Sequence, residues 1–159
     1  FLTPRKGKNA VLLLASLILY GRGGLRLLPL RYQDQKALLY LYRPSELQKD
    51  LKDRLAEALL ADAGYPDKGS EQCVAYLARR FRSGGEFPHE VGLFLSYPPQ
   101  DVLGFIENRA VNYKCAGLWK VYGDVEQAQR LFAKYRKCTD IYCELWRAGS
   151  GIGQLAVAV

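Results

Sequence analysis

One segment constrains the fold more than any other. Ala128, Leu131, Phe132, Tyr135, Cys138, Tyr142 and Leu145 recur at helical spacing. Asp124 precedes them as a cap, Gln127 sits three residues on, and Gly149 supplies a C-terminal stop with Arg147 near the negative end of the helix dipole. A long helix with one apolar face must bury that face, so the rest of the chain has to build a surface for it. With 159 residues there is material for one such core, and we expect a single domain over 1–159.

Two further helices are predicted. Ser45-Glu46-Leu47-Gln48 has the form of a capping box, and Leu47, Leu51, Leu55 and Leu59 follow every four residues until Gly64 and Pro66. Ser70 opens the next, with Cys73, Val74, Leu77 and Phe81 on one stripe and Gly84-Gly85 as the stop. Residues 25–32 and 36–42 flank the polar turn Gln33-Asp34-Gln35 and read as a hairpin ended by Arg43-Pro44. Residues 91–96 are almost wholly apolar, as a buried central strand would be. Pro98-Pro99 starts a short helix through Val102, Leu103 and Ile106. Residues 118–122 make a last strand, with Trp119 and Val121 on one face and Leu118, Lys120 and Tyr122 on the other. The expected fold class is therefore α+β: a mixed four-stranded sheet, built from one hairpin and one right-handed β-α-β crossover, packed with helices. Residues 152–159 suit a last helical turn or an edge strand.

Residues 1–23 form a separate N-terminal segment. Its apolar run, residues 10–20, is too short to span a bilayer. Arg5, Lys6 and Lys8 before it give it the look of a signal-peptide h-region, but no small-x-small cleavage site follows. A buried helix is the expectation. The chain contains no Met, which leads us to expect that the natural N-terminus is missing or processed. Four cysteines without a CxxC pair do not suggest a disulfide scaffold, and a reducing cytoplasm is the expected compartment.

The formal net charge is +7, unevenly spread. Residues 1–33 hold six basic side chains and no acid, while 34–108 hold nine basic against twelve acidic. Residues 109–159 hold eight basic against four acidic. If the two basic ends meet, their positive face suits an anionic ligand or an acidic protein; otherwise it is a solubilising surface.

Three sets of residues could carry chemistry. His89, the single histidine, lies with Glu90 in a Phe-Pro-His-Glu turn. An imidazole there can act as a base or a ligand, or can simply serve the turn. One histidine excludes a multi-histidine metal site within one chain. Cys115, Cys138 and Cys143, with His89, could hold zinc or an iron–sulfur cluster, or one thiol beside Arg136-Lys137 or Lys114 could be redox-active. On a continuous helix, however, Cys138 and Cys143 stand about 140° apart, and only a break at Thr139-Asp140 would let them meet. Otherwise they are small buried packing groups. Trp119, Lys120 and Tyr122, with Arg109, Tyr113, Lys114 and the basic stretch 130–137, could form an aromatic–basic surface for nucleotides or single strands. No RNA-binding signature accompanies them, so nucleic acid is not favoured. The sequence lacks GxGxxG, GxSxG, HExxH and the phosphate-loop pattern.

Several separated motifs come in a recognisable order. They are Tyr42-Arg43-Pro44, then Phe87-Pro88-His89-Glu90-Val91-Gly92-Leu93-Phe94-Leu95, Tyr97-Pro98-Pro99-Gln100-Asp101-Val102 and Gly104-Phe105-Ile106-Glu107-Asn108. Trp119-Lys120-Val121-Tyr122-Gly123-Asp124, Lys137-Cys138-Thr139 with Tyr142-Cys143, and Gln154-Leu155-Ala156-Val157-Ala158 follow. Over roughly 25–158 the chain resembles an uncharacterised bacterial family, domain of unknown function 3793. The resemblance implies a bacterial protein and one compact domain, and argues against a cleaved signal at 10–20. It implies no reaction, cofactor or catalytic residue. With no complete catalytic constellation in the sequence, the expected function is a non-catalytic ligand- or protein-binding accessory domain. A small cysteine-dependent redox or metal-binding protein and a nucleic-acid-binding module are the alternatives.

Overall fold

A computed structural model describes residues 24–33 and 36–151. The expectations for the apolar run at 10–20, the turn at 34–35 and the tail at 152–159 lie outside the described residues. The chain opens with β1 (Arg26–Gln33) and β2 (Lys36–Tyr42), an antiparallel hairpin. The register shifts between Pro29 and Arg31. A bulge at this point suits a proline, which has no N–H for the ladder. It also turns Leu30 into the core, and Arg82 Nη2 donates to the Pro29 carbonyl at 3.0 Å.

Three helices follow: α1 (Pro44–Asp50), α2 (Arg54–Asp62) and α3 (Ser70–Arg82), with α3 packed on β1 and α1 packed on α3. The expected single helix over the leucine repeat is two. Asp53 accepts from the Leu55 and Ala56 amides at 2.9 and 3.2 Å and so caps a new helix where the old one would have continued. The capping box at Ser45 does not form either. Pro44, preorganised for the first helical position, starts the helix from Arg43, and no side chain caps it. The repeat still works as a core: Leu47, Leu51 and Leu59 are buried with Leu60, Val74, Leu77 and Phe81. Gly64, at φ 78°, closes α2 with Tyr65 N on the Leu60 carbonyl and Gly64 N on the Ala61 carbonyl.

The expected central strand at 91–96 is helical. The turn α4 (Val91–Phe94) is followed by α5 (Pro99–Glu107). Apolar runs this short do not distinguish strand from buried helix by pattern, and here the preceding turn decides. Glu90, 6% exposed, accepts from Tyr65 Oη at 2.7 Å and Arg80 Nη1 at 2.6 Å. Val91 N donates to the Pro88 carbonyl and Leu93 N to the Glu90 carbonyl, so the chain is already winding. Burial and the Glu90 carboxylate together push the Tyr65 phenol pKa well above its ordinary value. Without this strand no β-α-β crossover exists. The last strand is likewise short: β3 (Cys115–Ala116) pairs with β4 (Lys120–Val121) in a small antiparallel hairpin. Among the described residues the four-stranded sheet is thus replaced by two separate two-stranded sheets.

The last helix, α6 (Val125–Arg147), runs as expected from Asp124, whose carboxylate accepts from Gln127 N at 3.0 Å. Its first turns bury Ala128 and Phe132 in a second cluster with Trp119 and Val121. Tyr97 packs against both clusters. Two glycines permit this closeness. A Cβ on Gly104 would stand 2.3 Å from Tyr122 Cγ, and one on Gly117 would stand 2.2 Å from Phe132 Cε2. Gly104→Ala therefore opposes a helix-propensity gain of about 1 kcal/mol with an overpacking cost of about 1–3 kcal/mol. We expect a net loss of about 1–2 kcal/mol, read as a lower urea midpoint; an unchanged or raised midpoint would show that Tyr122 yields freely.

Candidate functional site

One cleft has a volume of about 420 Å³. It lies where the turn before α4, the α5 helix and the β3–β4 turn converge. Phe87, Val91, Phe105, Leu118 and Trp119 make its walls mostly apolar, and His89 and Lys120 also line it. A wider groove of about 590 Å³ runs between the α1–α2 turn and the start of α5. Its acids are already engaged: Asp50 accepts from Ser96 Oγ at 2.5 Å, and Asp53 caps α2.

The cleft depends on a residue that sequence reasoning passed over. Asp101, in the first turn of α5, is 3% exposed. One carboxylate oxygen accepts from Trp119 Nε1 at 2.7 Å. The other accepts from the Tyr122 and Gly123 amides at 2.8 and 2.7 Å. Three N–H donors satisfy a buried acid that would otherwise be costly. They also leave it no role as a general base. Its sequence context, an acid after Pro98-Pro99, reads as an ordinary dipole-facing helix start, and only packing shows which way it turns.

The sequence-predicted residues are split up by the fold. His89 is exposed, its ring between Phe87 at 5.5 Å and Phe105 at 5.1 Å. Its neighbour Glu90 turns inward to Arg80 and Tyr65 and does not share the cleft. Trp119, 8% exposed, stacks on Tyr97 at 4.6 Å and meets Phe132 edge-on at 4.4 Å. It is a wall held by the second core, not an open platform. Lys120 Nζ donates to the Ala110 carbonyl at 2.6 Å and lies 4.8 Å from the Tyr113 ring centre. Tyr122 is used elsewhere: its hydroxyl donates to the Val111 carbonyl at 3.0 Å, and its ring packs on Gly104. Those two bonds hold a loop in which Arg109, Ala110 and Asn112 all adopt positive φ, a conformation that non-glycine residues take only when held.

The cysteines are not brought together. Cys115 packs at the edge of the second core. Cys138 and Cys143 are exposed on a helix that runs unbroken through Thr139-Asp140, which keeps them on different flanks. The reading of Cys138 as a buried packing group is overturned by that exposure: the core under α6 ends before it. Cys73 is the buried thiol, its pKa pushed up by burial and then by Asp67. Among the described residues no three His, Cys, Asp or Glu side chains could share a metal ion. No helix among them is long and apolar enough to cross a membrane.

Two substitutions test this construction. Trp119→Ala removes a buried aromatic and should cost about 3–5 kcal/mol of stability in chemical denaturation. Asp101→Asn places an amide N–H₂ against the Trp119 or backbone donors and should cost about 2 kcal/mol. A midpoint equal to wild type for either would show that the contacts of Asp101 and Trp119 contribute nothing.

Comparison with curated proteins and with solved structures finds no match. The motifs of the α4–α5 region, the 119–124 segment and α6 do have a counterpart in a protein family. Residues 13–156 match the family described as protein of unknown function, DUF3793, and the chain belongs to that family.

Proposed function

We propose that this chain is a ligand-binding domain whose site is the cleft between His89, Phe105 and Leu118. Its ligand is a small, flat, mostly apolar molecule that carries an anionic group. The observation that carries this reading is the make-up of the cleft. Its size and apolar walls with few polar groups are those of small-molecule sites. The imidazole nitrogens of His89 form no hydrogen bond among the described residues. Lys120 adds positive charge beside it, while three N–H donors compensate the negative charge of Asp101. Binding is favoured over catalysis because Asp101, the one carboxyl group lining the cleft among the described residues, is engaged by its three N–H donors, leaving His89 without a carboxylate partner. The same fact speaks for a positioned anion over a proton relay.

The test is a fluorescence titration with 1-anilinonaphthalene-8-sulfonate, an apolar aromatic anion. We expect saturable binding at one site. Ala116→Trp, which fills the cleft from an exposed position, should weaken it at least tenfold. His89→Ala should weaken it about threefold, but should leave the neutral N-phenyl-1-naphthylamine unaffected. Dye binding that is absent, or equal in wild type and Ala116→Trp, would overturn the assignment.

A further inference from the structure

The apolar face of α6 outlasts its core. The helix is buried at Ala128 and Phe132, and Leu131 and Tyr135 are half-buried, yet every residue from 136 to 147 is exposed. Ile141, Tyr142, Leu145 and Trp146 lie on that stretch, and Trp146 is 59% exposed. Large apolar side chains clustered in this way mark a surface that something covers.

We propose that a second copy of this chain covers it, with the two α6 helices packed antiparallel about a two-fold axis. The register follows from the heptad. Leu131, Cys138 and Leu145 recur every seven residues, and Lys134, Ile141 and Ala148 follow each of them by three. An antiparallel seam sets one row against the other. Cys138 then faces the partner's Ile141, and Leu145 faces the aliphatic stem of the partner's Lys134. The ammonium of that lysine reaches the last turn of the facing helix, where the dipole is negative.

Charge selects this arrangement. Lys137 and Glu144 are exposed, one heptad apart, on the same flank of the seam. Among the described residues the ion pair within α6 is Arg130 with Glu126, and Lys137 and Glu144 take part in none. In the antiparallel register Lys137 meets Glu144 of the partner subunit, and the two-fold axis repeats the contact. In a parallel register Lys137 would meet Tyr142 of the partner subunit, and the complementary charges would go unused. Residues 136–147 carry three basic and two acidic side chains, so the seam does not concentrate the net charge of +7. Repulsion between the rest of the two copies is screened beyond about 8 Å at physiological salt. The helices overlap from residue 131 to residue 148, about 27 Å. A seam this short buries less than the roughly 1,600 Å² of a standard interface, so the dimer is weak and depends on concentration.

Sedimentation velocity on the full chain tests this, with reductant present and at about 0.15 M salt. From about 10 to 500 μM, the range of a weak interface, we expect a reversible monomer–dimer equilibrium. Ile141→Lys should leave only monomer. Lys137→Glu and Glu144→Lys should each weaken the dimer about fivefold or more, because each sets like charges together twice. An equimolar mixture of these two variants should associate at least as tightly as wild type, since both contacts are then complementary. The three side chains are exposed, so the unfolding midpoint of the monomer should stay at the wild-type value. A chain that remains monomeric throughout would assign the face to another occupant. A dimer that survives Ile141→Lys would lie on another surface. A mixture no tighter than its separate components would exclude the antiparallel register. Each of these results overturns the proposal.

Discussion

The buried carboxylate of Asp101 is the constraint on which the C-terminal half depends. A hairpin of two residues per strand cannot stand alone in water, and β3–β4 is no longer than that. Asp101 anchors it from α5 by holding the Trp119 indole and the two amides that follow β4. With the indole held, Tyr97 and Phe132 pack on its faces and edge, and α6 gains a surface to bury its first turns. The interaction is strong because the acceptor is charged and water is excluded, and removing one partner leaves the others unpaired.

A second buried acid does similar work in the N-terminal half. Glu90 joins α3, through Arg80, to the turn that closes α2, through Tyr65, and so sets the turn from which α4 winds. His89 next to it is left outside. The cleft is what remains between these two anchored regions. Trp119, Tyr97 and Val102 in its lining are held by core packing, while Phe87, His89 and Leu118 line it from exposed positions. The strained loop at 109–112, tied down by Lys120 and Tyr122, borders the same hairpin.

Much of the helical layout was legible from residues. Ser70 and Gly84 bracket α3, Pro98-Pro99 opens α5, and Asp124 caps α6 as its carboxylate geometry requires. The alternation at 118–122 was also legible: Trp119 and Val121 are buried while Leu118 is exposed. The strand expected at 91–96 was not, because apolar content reports burial and not φ and ψ. The break at Asp53 was missed because a leucine repeat continues across two helices as readily as along one. Of the candidate site, His89, Trp119 and Lys120 do converge on the cleft. Phe87 and Phe105 were not singled out, since an isolated aromatic in a turn or helix carries no sign of its neighbour.

By itself the sequence determined which segments bury a face and where α3, α5 and α6 begin. Those properties follow from local periodicity, from proline and glycine geometry and from short-range capping. It also carried the family, through motifs whose order survives without any knowledge of contacts. Only the tertiary structure decided that two small sheets replace one, that Glu90 and His89 part company, and that Asp101 joins elements some twenty residues apart. Each of these is a pairing between distant segments. A carboxylate reads the same in sequence whether it faces water or an indole N–H, and its role is set by which donors the packing brings within reach.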